Sequence, residues 1–549
     1  MSKINVNILD NVYSYDKGTK LSVVADDFKD KFSFPILVAF VDNEICELNT
    51  CLDRNCTVKF ITVMDPIGNS IYQKGLVFLL AYAYKMVYGS CSTLKACHSL
   101  DKGIRMKSDN ALNLSDIAIL KNKMLELVSK NLSIDKVLVE KSAAISYFIN
   151  NGDMEKADTF KYLTNHYVNL YRVEDYYNYL FSFMPISTGV FKDFDLFLVD
   201  DNNFVLRFPV VGDSNIPDFN VYDKILEAFN ICYKRAKKLG IFTSSDINKI
   251  VALGGINDII KITEVISSND LLNVAKNIYN LGDKIKVVLL AGPSSSGKTS
   301  TSKKLSMFLK SFGYNPVSLS IDDYFVEREK TPKLDNGDYD FESVKAIDIE
   351  LFNDNLNRLL NGEEVKIPTF NFKKGKKEYL GNTLKLGDSD ILIIEGLHAI
   401  NDDLTYDVPK DRKYKIYVSP LTDLNIDNLN MVSNSDIRLI RRIIRDNRTR
   451  GYSAEHTINT WQNVRRGEES YIFPYQNDVD VVYNSSLIYE IGVLKLYVLP
   501  LLYEIDSSSS AYSEAVRLIN FLGMFTTINS DEIPSESILR EFIGNSYFL

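Results

Sequence analysis

Residues 292–300 read GPSSSGKTS, directly after the apolar run Val287-Val288-Leu289-Leu290-Ala291 and ahead of a Lys- and Leu-bearing stretch with helical spacing. Every fixed position of the phosphate-loop pattern G-x-x-x-x-G-K-[ST] is filled, in the context it needs: a buried strand, a Gly-rich turn and a helix whose first amides are unpaired. Gly292, Ser294, Ser295, Ser296, Gly297, Lys298, Thr299 and Ser300 are therefore candidate ligands for nucleotide phosphates, because free N–H groups and the positive end of a helix dipole favour an anion. Lys298 would reach the β- and γ-phosphates and the Thr299 hydroxyl would hold Mg²⁺, which makes ATP and Mg²⁺ the expected cofactors. The bland alternative is a serine-rich loop that fits by chance.

A chain of 549 residues is too long for one core and predicts about three or four domains. With 45% hydrophobic and 25% charged residues its composition is that of ordinary globular domains. A net charge of -9 argues against a general nucleic-acid-binding surface, though it leaves a local basic patch open. The opening MSKINVNILD has no apolar core of signal-peptide length, and the longest uncharged apolar stretch, residues 75–84, is too short for a bilayer. A cytoplasmic protein without membrane partners is expected, and a homo-oligomer is compatible with the sequence. All six cysteines (Cys46, Cys51, Cys56, Cys91, Cys97, Cys232) precede residue 233, in spacings that fit neither a zinc site nor a compact disulfide framework. They are expected to be free thiols, mostly buried.

The pattern of apolar runs predicts the organisation. Strands at 4–9, 36–40 and 57–63 around a helix near 21–31 suit a small mixed β-domain over residues 1–62. An amphipathic helix over 72–87 opens an α+β region, residues 63–212, which ends at a polar break. Residues 213–283 read as a helical connector interrupted at Gly254-Gly255. From residue 285 apolar runs alternate with helices, the signature of a parallel α/β sheet, with strands expected at 287–291, 316–321, 390–394, 414–418 and 479–483. This α/β unit spans 284–500, and a C-terminal helical segment occupies 501–549.

Three further clusters bear on the chemistry. The second strand of the α/β unit ends in Asp322-Asp323-Tyr324-Phe325, and ligands of open parallel sheets sit beyond the carboxyl ends of the strands. A carboxylate there can accept the proton of an attacking hydroxyl; otherwise it is a solvated strand end or helix cap. The run Ile391-Leu392-Ile393-Ile394-Glu395 is a fully apolar strand closing in an acid, and an acid at that tip can orient Mg²⁺ or its water shell. Arg438, Arg441, Arg442, Arg445 and Arg448 share one face of a helix whose other face is Ile and Leu. Such a stripe is either a solvated surface or a mobile lid that neutralises a transferring phosphoryl group and excludes water, and Arg441 and Arg445 are its expected catalytic members.

Taken in order, the loop, Asp322-Asp323-Tyr324-Phe325, Tyr339-Asp340-Phe341-Glu342, Ile367-Pro368-Thr369-Phe370-Asn371-Phe372, Glu395-Gly396-Leu397-His398 and the arginine helix resemble the uridine kinase and phosphoribulokinase family over about 284–485. The resemblance implies an ATP-dependent nucleoside kinase, uridine- or cytidine-like, in which Asp322 is the general base on the sugar 5′-hydroxyl. It also implies a nucleoside pocket lined by Phe325, Phe370 and Phe372, aromatic rings apt for stacking on a base. Glu342 takes the ribose-binding position where uridine-cytidine kinases have Asp. Their base-reading histidine has no counterpart in residues 373–376, KKGK. Kinase activity is thus a firmer expectation than uridine as substrate.

Residues 1–62 resemble a TGS domain, the β-grasp module that begins threonyl-tRNA synthetases, and residues 63–212 are similar to the editing domain that follows it there. The metal-binding and catalytic positions of that editing site fall on Lys74, Phe78 and the stretch 180–189, LFSFMPISTG, which holds neither Cys nor His. A structural or regulatory appendage is expected. Two rivals to a kinase stay open: a nucleotide-sensing regulator that binds ATP without useful turnover, and an RNA-associated module, which the acidic charge opposes.

Overall fold

The computed structural model describes residues 2–213, 215–218, 222–334, 337, 339–371, 374–422 and 424–548. Five strands open the chain: β1 (Lys3–Ile8), β2 (Asn11–Asp16), β3 (Ile36–Val41), β4 (Glu44–Glu47) and β5 (Cys56–Thr62), in the order β2-β1-β5-β3-β4. The central pair β1 and β5 is parallel and the other neighbours are antiparallel. Helix α1 (Leu21–Phe28) closes this sheet by burying Leu21, Val24 and Phe28 against Val6, Ala39 and Phe60. The sequence reading passes over β2 and β4 because neither shows a run of apolar residues; β2, at the sheet edge, has no buried residue.

Helix α2 (Pro66–Tyr88) starts six residues before its expected first turn, with proline where a missing N–H costs nothing. It is buried through most of its length. Around it lie β6 (Leu94–Leu100), β7 (Gly103–Ser108), α3 (Leu114–Lys130), β8 (Asp135–Glu140), α4 (Lys141–Asn150), α5 (Met154–Lys161), β9 (Tyr167–Val173), β10 (Tyr176–Asn178), β11 (Asp195–Leu198) and β12 (Asn203–Arg207). They form two antiparallel sheets, β11-β12-β7-β6 and β10-β9-β8. Three helices follow, α6 (Asp223–Leu239), α7 (Ser244–Ala252) and α8 (Ile256–Leu281), broken where Gly254 takes a left-handed φ of +77°.

The α/β unit is built on β13 (Val287–Ala291), α9 (Lys298–Ser311), β14 (Asn315–Ser320), α10 (Ile349–Leu360), four short strands β15 (Val365–Lys366), β16 (Thr369–Asn371), β17 (Lys376–Glu378) and β18 (Thr383–Leu384), then β19 (Asp390–Glu395) and β20 (Lys413–Ser419). Helices α11 (Asn434–Arg450) and α12 (Ala454–Tyr471), strand β21 (Val481–Asn484) and helices α13 (Glu490–Tyr503), α14 (Tyr512–Gly523) and α15 (Arg540–Ile543) complete it. Its main sheet runs β14-β19-β13-β20-β21 with every pair parallel. Both faces are covered, which is why β13 is apolar without alternation. Val288 and Leu290 pack with α8, α9 and α11, whereas Val287, Leu289 and Ala291 face Phe229 and Phe352.

The two halves of the chain are bonded together by residues 424–432, which lead from the tip of β20 to α11. Asn425 donates to Ala96 O at 2.7 Å, Asn428 O accepts from Ala96 N at 2.8 Å, and Asn430 bridges Tyr179 O and Phe181 N. Lys156 and Asp427 form an ion pair at 3.5 Å with both side chains wholly buried. All six cysteines are free, but only Cys232 is buried; Cys51 and Cys91 are exposed, so the expectation of mostly buried thiols is corrected. Among the described residues no helix is long and apolar enough to cross a membrane.

Removing one member of a buried ion pair leaves an uncompensated charge in the interior, at a cost of about 3–5 kcal/mol. Asp427→Ala is therefore expected to lower the urea-unfolding free energy by about that amount, with much of the loss recovered in Lys156→Met/Asp427→Leu. A loss under about 1 kcal/mol in the single variant would mean that the two halves are not held together here.

Candidate active site

The parallel register sets Leu290, Ser320 and Glu395 side by side across β13, β14 and β19. Two residues beyond Leu290 the chain reaches Gly292, and two beyond Ser320 it reaches Asp322, so the phosphate loop and both acids emerge at one edge of the sheet. Glycine is required at 292, since a Cβ would collide with the carbonyl oxygen of Val418. Gly297 has φ +87° and Ser295 has φ +60°, and these left-handed turns fold the loop into a concavity lined by N–H groups. The hydroxyls of Ser295, Ser296 and Ser300 are buried without a partner among the described residues. Three such hydroxyls clustered in one Gly-rich loop make a donor set that fits a phosphate chain.

Lys298 folds over the loop and donates to Gly292 O at 2.9 Å and Pro293 O at 3.2 Å. Burial lowers its pKa, and Glu395, Asp322 and Glu541 oppose that shift. Thr299 Oγ1 donates to Glu395 Oε1 at 2.8 Å. A hydroxyl and one carboxylate beside a phosphate seat are what Mg²⁺ needs, because this ion keeps several waters and takes its remaining ligands from phosphates. Among the described residues no group of three or more His, Cys, Asp or Glu side chains converges.

The two aspartates differ in role. Asp323 accepts from Phe370 N at 3.3 Å and so anchors β16. Asp322, which reaches solvent in the open cleft, senses Lys298, Arg450 and Arg445; desolvation by the cleft walls raises its pKa and those cations hold it down. Phe325 lies 5.6 Å from Phe370 and 6.5 Å from Phe341, ring centre to ring centre, so an aromatic wall follows directly on the acids. Phe372 lies outside the described residues. Glu342 packs over Gly467, where a Cβ would clash with it, and its pKa is pushed up from 4.5 to about 7 by burial, against the pull of Arg442. Gly375, where the resemblance places the missing base reader, has φ +67° and lies against the Arg328 side chain, which leaves no room for a larger residue.

Helix α11 is a packed element, and its arginines divide between structure and cleft. Arg441 is entirely buried: its Nε donates to Glu490 at 2.8 Å and its Nη2 to Ser485 O at 2.9 Å. Its donors are thus spent behind the loop, which corrects the expectation that it faces a phosphoryl group from a mobile lid. Arg438 is likewise buried, in a bidentate pair with Glu468, whose Oε1 accepts from Ser294 N at 3.0 Å. Arg442 donates to Ser294 Oγ at 2.8 Å. Arg445 binds Asp446, as does Arg450 at 3.4 Å, and both act electrostatically on Asp322; the sequence reading does not count Arg450 in the stripe. Two other site residues carry no motif, Glu468 on α12 and Glu541 near the C-terminus, the latter accepting from Ser300 N at 3.1 Å.

The side chains at the two positions to which the editing resemblance points are held by their surroundings. Phe78 is core, 5.4 Å from Tyr176, and Lys74 donates to Phe181 O at 3.2 Å with its pKa lowered to about 8 by burial.

A parallel sheet with a phosphate loop, two strand-tip acids and cleft-facing arginines defines the class of phosphate-loop α/β proteins. Comparison with known proteins agrees and narrows it: residues 287–488 match the Phosphoribulokinase / Uridine kinase family, so the C-terminal region holds a domain of that family. A uridine kinase from Staphylococcus epidermidis is 26% identical over 197 residues, covering 36% of this chain and 86% of its own. One from Staphylococcus aureus (strain JH9) is 26% identical over 198 residues with the same coverage. A solved structure described as a "possible uridine kinase" from Bacillus stearothermophilus is 21% identical, covers 39% of this chain and 98% of its own, and has a TM-score of 0.25.

The elevated Glu342 carboxyl gives a pH prediction. A carboxyl whose folded pKa is raised contributes stability that is present below its unfolded value of 4.5 and lost as pH rises through about 7. Glu342→Gln should therefore leave stability unchanged near pH 4 and raise it by about 3 kcal/mol at pH 8, measured by chemical denaturation at both pH values. Equal effects at the two pH values would place Glu342 in an ordinary solvated setting.

Proposed function

We propose that this protein transfers the γ-phosphoryl group of ATP, with Mg²⁺, to the 5′-hydroxyl of a nucleoside of the uridine or cytidine kind. The observation that carries the reading is the convergence of Lys298, the Thr299–Glu395 pair and Asp322 at one edge of a parallel sheet. Lys298 and the loop amides hold the β- and γ-phosphates; Thr299 and Glu395 hold Mg²⁺, which neutralises phosphate charge when bound. Asp322 accepts the hydroxyl proton as the new O–P bond forms and the bond to the ADP oxygen breaks. Arg445 and Arg450 face the charge that develops on the transferred group, while Arg441 keeps the loop in place.

Phe325, Phe341 and Phe370, with Phe372 by the resemblance, form the stacking wall for the base, and Glu342 with Arg442 takes the ribose. Without a base-reading side chain at 375, discrimination among bases rests on stacking and size, which predicts broad specificity. In the N-terminal half, the strand order with a parallel central pair under one helix supports the TGS-like reading of residues 1–62. The region that follows is an editing-like scaffold without editing chemistry. The cytoplasmic location read from the sequence completes the proposal.

Coupled ADP release with ATP, Mg²⁺ and a panel of nucleosides and sugars tests it. Turnover is expected to be highest with uridine or cytidine, to fall by several orders of magnitude in Lys298→Ala, and to fall sharply in Asp322→Asn with ATP binding retained. A larger loss in Asp323→Asn would move the base to the neighbouring residue. ATP binding without turnover on any acceptor would favour the nucleotide-sensing reading.

A further inference from the structure

The amide of Ser300, the third residue of α9, is one of the loop donors that cradle the α- and β-phosphates of a nucleotide. In this structure it is taken by a carboxylate of the chain itself, Glu541 Oε2 at 3.1 Å. Glu541 is nearly buried and acts electrostatically on both Lys298 and Glu395, so its charge sits among the groups that would meet the phosphates. The segment that brings it there is held at several points. Ile538 lies against Gly297, where a Cβ would come within 2.6 Å of it, and Ser537 Oγ donates to Glu264 on the connector helix at 2.5 Å. Arg448 of the arginine helix donates to Glu541 O at 2.7 Å and Phe542 O at 3.1 Å, and the Phe542 ring lies 5.0 Å from the Arg441 guanidinium.

We infer that residues 537–543 form an autoinhibitory plug in which Glu541 occupies a phosphate seat of the nucleotide loop and must leave before ATP binds. This inference rests on the reading of the loop as a nucleotide site. Two anions cannot share one N–H donor, and bringing a phosphate beside a buried carboxylate adds like-charge repulsion, so occupation by Glu541 and by nucleotide are mutually exclusive. Ile538, Leu539, Phe542 and Ile543 anchor the segment in the core, beside the bonds to its carbonyls and to Ser537, so it is the Glu541 side chain that swings out of the seat while its neighbours stay packed. Because Arg448 and Arg441 lie on the helix that also carries Arg445 and Arg450, the segment that bears Glu541 packs on the same helix that faces the transferring group.

The test is Mg·ATP affinity by isothermal titration calorimetry on the full chain, wild type and Glu541→Gln, together with hydrogen exchange of residues 537–543 in the wild type. Glutamine keeps the size of the side chain and removes its charge, so the variant is expected to bind Mg·ATP about tenfold more tightly. Saturating Mg·ATP should also speed exchange across 537–543 in the wild type. Unchanged or weaker binding in the variant, or slower exchange with ATP, would overturn the plug and make this segment a fixed wall of the nucleotide site. Should the variant fail to fold, the wild-type exchange result decides alone. Absence of Mg·ATP binding in both proteins would instead defeat the nucleotide-site reading itself, and the plug with it.

Discussion

The α/β half is organised around a few backbone N–H groups that cannot be satisfied by the helix they begin. The first turn of α9 leaves its donors free, and the loop before it is bent so that they point inward. Everything near them is an answer to that constraint. Gly292 lets the loop pass against β20, Glu468 takes the amide of Ser294, Glu541 takes that of Ser300, and the buried Arg438 neutralises Glu468. The middle of the loop, with three buried hydroxyls unpartnered among the described residues, is where an anion would complete the set.

This arrangement explains why the arginine helix is ambiguous in sequence. Helical spacing shows that Arg438, Arg441, Arg442 and Arg445 share a side, but not what lies opposite. The partners Glu468 and Glu490 sit 30 and 49 residues further along the chain, in segments with no motif. Once they are in place, Arg438 and Arg441 belong to the interior, and only the far end of the helix turns to the cleft. A desolvated arginine beside two carbonyls and a carboxylate is a tether, whereas one that still feels Asp322 across open space can follow a reaction.

The central strands β13 and β19 were legible because each is an apolar run bounded by polar residues, and the tip of β19 carried Glu395 with it, whereas β14 and β20 mix polar residues into shorter apolar stretches. The edge strands β2 and β4 were not, since a strand that buries few side chains lacks the pattern by which strands are recognised. Glu541 could not be found from sequence: it lies 241 residues from Ser300, and nothing in its neighbourhood marks it as a ligand of an amide. The same is true of residues 424–432, whose role in joining the halves depends on asparagine side chains meeting strand carbonyls far away in the chain. Because that loop runs straight into the arginine helix, the N-terminal half is bonded to the segment that leads into α11.

We propose that the loop and Asp322 together move a phosphoryl group onto a hydroxyl. The most direct measurement is phosphorus NMR of the full chain with Mg·ATP and uridine, following the fate of the γ-phosphorus. The account predicts a new phosphomonoester resonance that grows in step with ADP and is absent with Asp322→Asn. Growth of inorganic phosphate alone, or no loss of ATP with any hydroxyl acceptor, would contradict it.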